Sequence, residues 1–161
     1  MSALLERLAR ICALSGGGLL IAMALGTCAS IAGRNLFDFS VVGDFELTGA
    51  TCGVAIVLCL PWCQWRRGNI VVDFFTSRTS SLTIARLDRF GAGLVAIVMA
   101  VLAWRTGVGG LNAYQNQSAS MLLGLPDWIV NASMVGPMIL TAFIAAWQAL
   151  GALTPHTTDA L

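Results

Sequence analysis

The stretch that decides the fold is ICALSGGGLLIAMALGTCASIAG, which runs from Ile11 to Gly33 without a charged residue. As an α-helix, these 23 residues extend about 34 Å, and the hydrocarbon core of a bilayer is about 30 Å thick. The stretch is also longer than the apolar core of a cleaved signal peptide, which has about 7–15 residues. It therefore predicts a retained transmembrane helix.

A second uncharged run of 19 residues follows, from Leu47 to Trp65. Asp44 is expected to be the N-cap of this helix, because a short acidic side chain can accept hydrogen bonds from the first free backbone N–H groups. Glu46 adds negative charge at the positive end of the helix dipole. The start of the second span is therefore well marked.

The third uncharged run is shorter, with 15 residues from Phe90 to Trp104. Its span is expected to begin near Leu87 and to continue past Arg105. The fourth span opens at Pro126, because proline suits the first turn of a helix. The sequence thus predicts an all-α membrane protein, a single integral domain over 1–161 with spans at about 11–33, 47–65, 87–111 and 127–150.

The composition of the whole chain agrees with a membrane protein. Of 161 residues, 57% are hydrophobic and 11% are charged, whereas about a quarter of the residues of a soluble domain are charged. The mean hydropathy is +0.81. Nine basic residues against eight acidic ones give a net charge of +1, which leaves no basic field for nucleic acid. These values exclude a soluble globule and a nucleic-acid-binding protein.

The arginines predict the orientation, because positive residues near span ends stay in the cytoplasm. Seven of the nine arginines fall before the first span or between the second and third spans. Both termini are therefore expected in the cytoplasm of a bacterial inner membrane, with two connections outside. The seven are Arg7, Arg10, Arg66, Arg67, Arg78, Arg86 and Arg89.

The segment between the second and third spans has apolar residues among its arginines, Ile70, Val71, Phe74 and Phe75. This pattern is typical of a short amphipathic helix that lies on a membrane surface. We expect such a helix on the inner surface, where it would anchor the chain.

Small residues recur every four positions in the predicted spans, as in Gly18, Ala22 and Gly26 of the first span. Helices in a bilayer associate through small residues that let their backbones approach. We expect such ridges to mark contacts within the chain, and contact with a partner chain is the alternative.

Residues that carry chemistry are scarce. No acidic residue lies in the middle of a span, and the single histidine is His156, near the C-terminus. Five cysteines in the first two spans suit packing better than a disulfide framework. No nucleophile, base and orienting group converge, so we expect neither an enzyme nor a bound cofactor or metal.

Two polar residues deserve separate interpretation. Arg105 lies about 24 Å along the third helix from Arg89, so its side chain either snorkels to the headgroups or pairs with a partner subunit. Asn131, early in the fourth span, either bonds to another helix or faces the interface. Trp128 and Trp147 are expected in the two interfacial belts.

Three motifs resemble the DctQ-like small membrane subunits of tripartite ATP-independent periplasmic (TRAP) transporters. The pair Glu46–Leu47 opens the second span, RRGNIVVD (Arg66–Asp73) follows it, and LGLPDW (Leu123–Trp128) opens the fourth. Their order and spacing match across nearly the whole chain.

The resemblance implies a scaffold that braces a large DctM-like permease subunit. Together with a periplasmic solute-binding protein, the scaffold and the large subunit would import an organic anion, often a carboxylate, using a sodium gradient. The candidate residues have no catalytic, metal or substrate role. Those expected to contact partners on the outer side are Arg34, Glu46 and Arg105, those expected to anchor the inner side are Arg66, Arg67 and Asp73, and Trp128 belongs to the outer belt.

Two other classes remain open. One is a membrane anchor or assembly subunit of another complex, although a haem-bearing version would need histidines that the spans lack. The other is a self-contained exporter resembling the small multidrug exporters, which work as dimers around a membrane-embedded glutamate. Glu6 and Glu46 lie outside the predicted spans, which disfavours the exporter.

Overall fold

The computed structural model describes residues 2–37, 43–66 and 81–150, and its regular structure there is helical. The helices are α1 (Ser2–Phe37), α2 (Asp44–Trp65), α3 (Ser81–Gln115) and α4 (Asp127–Ala149). Each is long and apolar enough to cross a membrane, so the predicted all-α class with four candidate spans is confirmed. The predicted surface helix lies outside the described residues.

The start of α2 differs from the expectation. Gly43, not Asp44, occupies the cap position, and its backbone has φ +87°, in the left-handed region that glycine adopts without strain. The Gly43 carbonyl accepts the first helical hydrogen bond, from the Leu47 N–H at 3.1 Å. Asp44 is already the first helical residue and makes no capping bond, so its predicted role is wrong.

The helices pack in the order α1, α2, α4, α3. The most extensive contact joins α3 and α4, followed by α1 with α2 and then α2 with α4. Helix α4 therefore lies between α2 and α3, which diverge on either side of it. This arrangement leaves a cleft at the end of the bundle where α2 and α4 begin and α3 ends.

The contact between α1 and α2 depends on Gly16. A Cβ atom added there would lie 2.9 Å from the Ala55 backbone oxygen and 3.1 Å from the Cys59 Sγ. Gly18 and Gly26 have no atom of another described element within 4 Å of such a Cβ. The predicted contact within the chain is therefore not made at Gly18 and Gly26, where contact with a partner chain remains the alternative, whereas Ser30, one turn after Gly26 in the same ridge, is buried.

Helices α3 and α4 also approach through glycines. A Cβ at Gly110 would lie 3.2 Å from the Asn131 Cβ, and one at Gly107 would lie 3.9 Å from a Val135 methyl group. Ala103, one turn before Gly107 on α3, is buried. Close backbone approach replaces the hydrophobic effect as the source of helix association in a bilayer.

The buried core lies at the other end of the bundle. Leu5 and Ala9 of α1 and Ile144 of α4 form it. Trp62, Trp65 and Leu140 pack against this cluster. The core therefore joins three helices near the end of α2.

Candidate functional site

The connection between α3 and α4 is fastened to the first turn of α2 by one carboxylate. The Ser120 hydroxyl donates a hydrogen bond to Glu46 Oε2 at 2.6 Å. The backbone N–H groups of Leu122 and Leu123 donate to the same oxygen at 3.2 and 3.3 Å. Glu46 therefore holds a connection that is more than 70 residues away in sequence.

Backbone hydrogen bonds within the α3–α4 connection also stabilise its turn. The Ser120 N–H donates to the Leu125 carbonyl at 2.9 Å, and the Gly124 N–H donates to the Ser120 carbonyl at 3.1 Å. Gly124 has φ +66°, which permits the reversal of the chain. The loop therefore presents the Leu122 and Leu123 N–H groups together, toward a single acceptor.

The Leu123 side chain packs against Gly43 at the start of α2. A Cβ at Gly43 would overlap the Leu123 side chain, so only glycine leaves room for this contact. The Leu123–Trp128 motif thus packs against the start of α2, beside the Glu46–Leu47 motif. Two motifs that lie far apart in sequence form one structural unit.

Beside this unit lies a cleft of about 560 Å³, which we call the polar cleft. It opens between α2, α3 and the start of α4. Its walls have two carboxylates, three asparagine amides and two hydroxyls, and no basic side chain lines it. The lining residues are Glu46, Ala50, Gly109, Asn112, Ala113, Asn116, Ser118, Ser120, Leu125, Asp127, Val130 and Asn131.

Asn131 does not make the interhelical hydrogen bond that was one of its two predicted roles. Its Nδ2 donates to the Asp127 carbonyl at 3.2 Å, which is one turn earlier on the same helix. The rest of the side chain lines the polar cleft. The amide therefore faces an open surface, in agreement with the other role.

Arg105 is exposed in the middle of α3 and makes no ion pair with any described residue. Residues spaced by three and four share one face of a helix. Arg105 therefore lies on the same face of α3 as Gly109, Asn112 and Asn116. That face lines the polar cleft farther along the helix. Arg105 therefore lies on the helix face that leads to the polar cleft, one turn before Gly109.

The other predicted residues lie apart from the cleft. Arg34 is exposed in the last turn of α1. Trp128 packs edge-on against Tyr114, with ring centroids 5.7 Å apart, and lines an apolar groove of about 440 Å³ between α3 and α4. Arg67 and Asp73 lie outside the described residues.

Arg66, the remaining candidate, lies at the opposite end of the bundle. Its guanidinium carbon is 5.5 Å from the centroid of the Trp62 ring. Arg10 of α1 approaches the same ring at 5.6 Å. We call Arg10, Trp62 and Arg66 the arginine–tryptophan cluster.

Sequence reasoning missed a buried polar pair near this cluster. Gln64 Nε2 donates to Gln148 Oε1 at 2.7 Å, and Gln148 Nε2 donates to the Gln64 backbone carbonyl at 2.8 Å. Both residues are 4% exposed, so the bonds form away from water. The pair ties the end of α2 to α4, and its only signal in the sequence is one glutamine near the end of each span.

Within residues 2–37, 43–66 and 81–150, no three histidine, cysteine or acidic side chains come close enough to share a metal ion. Cys12, Cys28, Cys52 and Cys59 lie in this part of the chain and are free thiols. The groups that do converge are hydrogen-bonding side chains at the polar cleft and aromatic and cationic ones at the arginine–tryptophan cluster. Both arrangements suit binding of another molecule.

Comparison with known proteins finds a matching family. A family model described as tripartite ATP-independent periplasmic transporters, DctQ component, matches residues 23–154, which is most of the chain. No curated protein and no solved structure matches. The matched range contains Glu46, the Arg66–Asp73 motif and the Leu123–Trp128 motif.

Proposed function

This chain belongs to the DctQ family of TRAP transporter components, and on that premise we propose that it braces the large permease subunit in the bilayer. It is the small permease subunit of such a transporter and belongs to a family of transporter components rather than of enzymes. We further propose that the complex imports an organic anion, a carboxylate, with sodium ions. A periplasmic solute-binding protein would deliver that anion.

The single observation that carries the bracing role is the fastening of the α3–α4 connection by Glu46. Elements that move during transport need contacts that break and re-form. Here the carboxylate, the Ser120 hydroxyl and two backbone N–H groups join α2 to the connection. Such a joint suits a part of the transporter that stays still.

A second observation supports a stationary role. Ion-coupled carriers need ionisable groups at membrane depth. The described parts of the spans have one such residue far from a helix end, Arg105, and it is exposed. Coupling ions and substrate are therefore assigned to the large subunit.

The exposed surface supports a role beside another membrane protein. In the most apolar window of each helix, only 6–22% of the residues are buried within the chain. Large side chains such as Leu25, Ile97 and Trp104 point outward. Lipids cover part of this surface, and we assign the α3 face with Arg105 to a partner.

The predicted residue roles remain part of the proposal. On the periplasmic side, Arg34, Glu46 and Arg105 would contact the large subunit or the binding protein, and Trp128 would mark the outer interface. On the cytoplasmic side of the inner membrane, Arg66, Arg67 and Asp73 would anchor the chain. Both termini would lie in the cytoplasm.

The experiment uses the three-component transporter in cells. A panel of organic acids is first screened against the binding protein by thermal shift, and the best ligand is radiolabelled. We expect its uptake to require this chain and to stop when a sodium ionophore removes the gradient. Equal uptake without the chain would exclude the bracing role, and uptake without a sodium gradient would exclude sodium coupling.

A further inference from the structure

The arginine–tryptophan cluster brings two cations to one aromatic ring. The guanidinium carbons of Arg10 and Arg66 lie 5.6 and 5.5 Å from the Trp62 centroid. The two carbons are therefore no more than about 11 Å apart, because both distances end at the same point. Contacts below about 6 Å are within the range of cation–π attraction, so the ring holds both side chains in place.

No acidic side chain neutralises this pair in the part of the chain that the structure describes. Neither arginine makes an ion pair there, although Glu6 lies one turn before Arg10 on α1. Both arginines are exposed. Two positive charges within about 11 Å of each other repel, and an anion that lies between them would offset that repulsion.

The cluster lies at the border of the apolar part of the bundle. Arg10 immediately precedes the uncharged stretch that begins at Ile11. Ile11 and Leu14 are 62% and 70% exposed, so apolar surface continues from the cluster along α1. Tryptophan is enriched at this level of a membrane protein, where headgroups meet hydrocarbon.

We propose that Arg10, Trp62 and Arg66 form a binding site for the phosphate group of an anionic phospholipid. Arginine suits this ligand because its planar fork can donate two parallel hydrogen bonds to phosphate oxygens. The acyl chains would follow the exposed apolar face of α1 that begins at Ile11. The site deepens the proposed anchoring role of Arg66 and adds Arg10 and Trp62 to it.

The test measures lipid retention by the full chain. The protein is purified in detergent, stripped of lipid, and mixed with phosphatidylglycerol or phosphatidylcholine before native mass spectrometry. We expect one phosphatidylglycerol to be retained preferentially over phosphatidylcholine. The double substitution R10Q/R66Q should reduce its occupancy about tenfold, which is the effect of losing about 1.4 kcal/mol of binding free energy.

The matched control is R7Q. Arg7 is an exposed arginine on the same helix, and it makes no cation–π contact with a described ring. R7Q removes one positive charge, as R10Q alone does, and should leave the occupancy unchanged. Equal losses in R7Q and in R10Q/R66Q would overturn the proposal, because they would show a diffuse effect of charge.

Two further arms keep the result interpretable. The R10K/R66K variant retains both charges without the planar forks and should bind less lipid than the wild type. If the double glutamine variant does not fold, R10Q alone provides the test, because Arg10 is exposed. Unchanged lipid retention in R10Q and R10K/R66K alike would overturn the proposal.

Inorganic phosphate separates the two sources of the ligand. Displacement of phosphatidylglycerol by millimolar phosphate would overturn the assignment to a lipid, and retention of the lipid in the presence of phosphate would support it. Because the assay uses the isolated chain, it is independent of the permease. Equal uptake without this chain, together with intact lipid retention, would contradict the proposed function alone.

Discussion

The Ser120 hydroxyl lies 2.6 Å from the Glu46 carboxylate and joins the α3–α4 connection to the first turn of α2. The Leu122 and Leu123 N–H groups donate to the same carboxylate. Helices α2 and α3 do not pack extensively against each other. The contact between Glu46 and the α3–α4 connection therefore sets the width of the polar cleft. Glu46 therefore lines the polar cleft and also holds the α3–α4 connection against α2.

Replacement of Glu46 by alanine should release the connection. Loss of the common acceptor should increase amide hydrogen exchange at Leu122 and Leu123 about fivefold, as expected for one hydrogen bond of about 1 kcal/mol at each N–H. Hydrogen exchange with mass spectrometry over 118–126 measures this change. The matched control is D44N, which removes a carboxylate from the same helical turn and should leave the connection protected. Equal exchange in E46A and the wild type would contradict the fastening role.

Two adjacent glycines give a sharp test of the α1–α2 contact. G16A places a methyl group 2.9 Å from the Ala55 carbonyl oxygen and should destabilise the chain by about 1–3 kcal/mol. G17A meets no atom within 4 Å and should be stabilising by about 0.5–1 kcal/mol, because alanine favours the helix. Thermal unfolding in detergent compares the two variants. A lower melting temperature for G17A than for G16A would exclude this contact.

The buried glutamine pair should contribute to stability. Q148L removes both hydrogen bonds between α2 and α4 and should cost about 1–2 kcal/mol, as for polar contacts between membrane helices. Thermal unfolding of the purified chain measures the loss. Q115L, at an exposed position of α3, changes the same groups and should have little effect. If both variants unfold at the wild-type temperature, the pair contributes nothing to stability.

The charge of Arg105 should matter for assembly. R105Q removes the charge and keeps a polar amide, and it should lower the yield of co-purified large permease about tenfold if a partner carboxylate pairs with it. The control is R89Q, which removes an exposed arginine from the same helix at the opposite end. An unchanged yield with R105Q would show that the side chain only snorkels to the headgroups.

Sequence reasoning predicted the helices well because the length of an uncharged run is directly set by the thickness of the bilayer. It predicted the interfaces less well. The triplet Gly16–Gly18 permits close approach on more than one side of α1, and spacing alone cannot say which side meets α2. The spacing of Gly18 and Gly26 indicates one face of α1, whereas the contact with α2 is made at Gly16.

The candidate site was predicted in part. Glu46 was singled out because of its position in a motif, but its acceptor role depends on a loop that brings Ser120 back to α2. The Gln64–Gln148 pair and the arginine–tryptophan cluster depend on helix register across the bundle. A single sequence does not fix that register, because each helix can rotate about its axis with little change in its own hydropathy.

The proposed function depends on a partnership with a large permease. Affinity purification tests this partnership most directly. The tagged chain is expressed in its native host, solubilised gently, and its associated proteins are identified by mass spectrometry. We expect a large polytopic permease in stoichiometric amount, with or without a periplasmic binding protein. Recovery of only a homodimer that binds lipophilic cations, or of respiratory subunits, would contradict the proposed function.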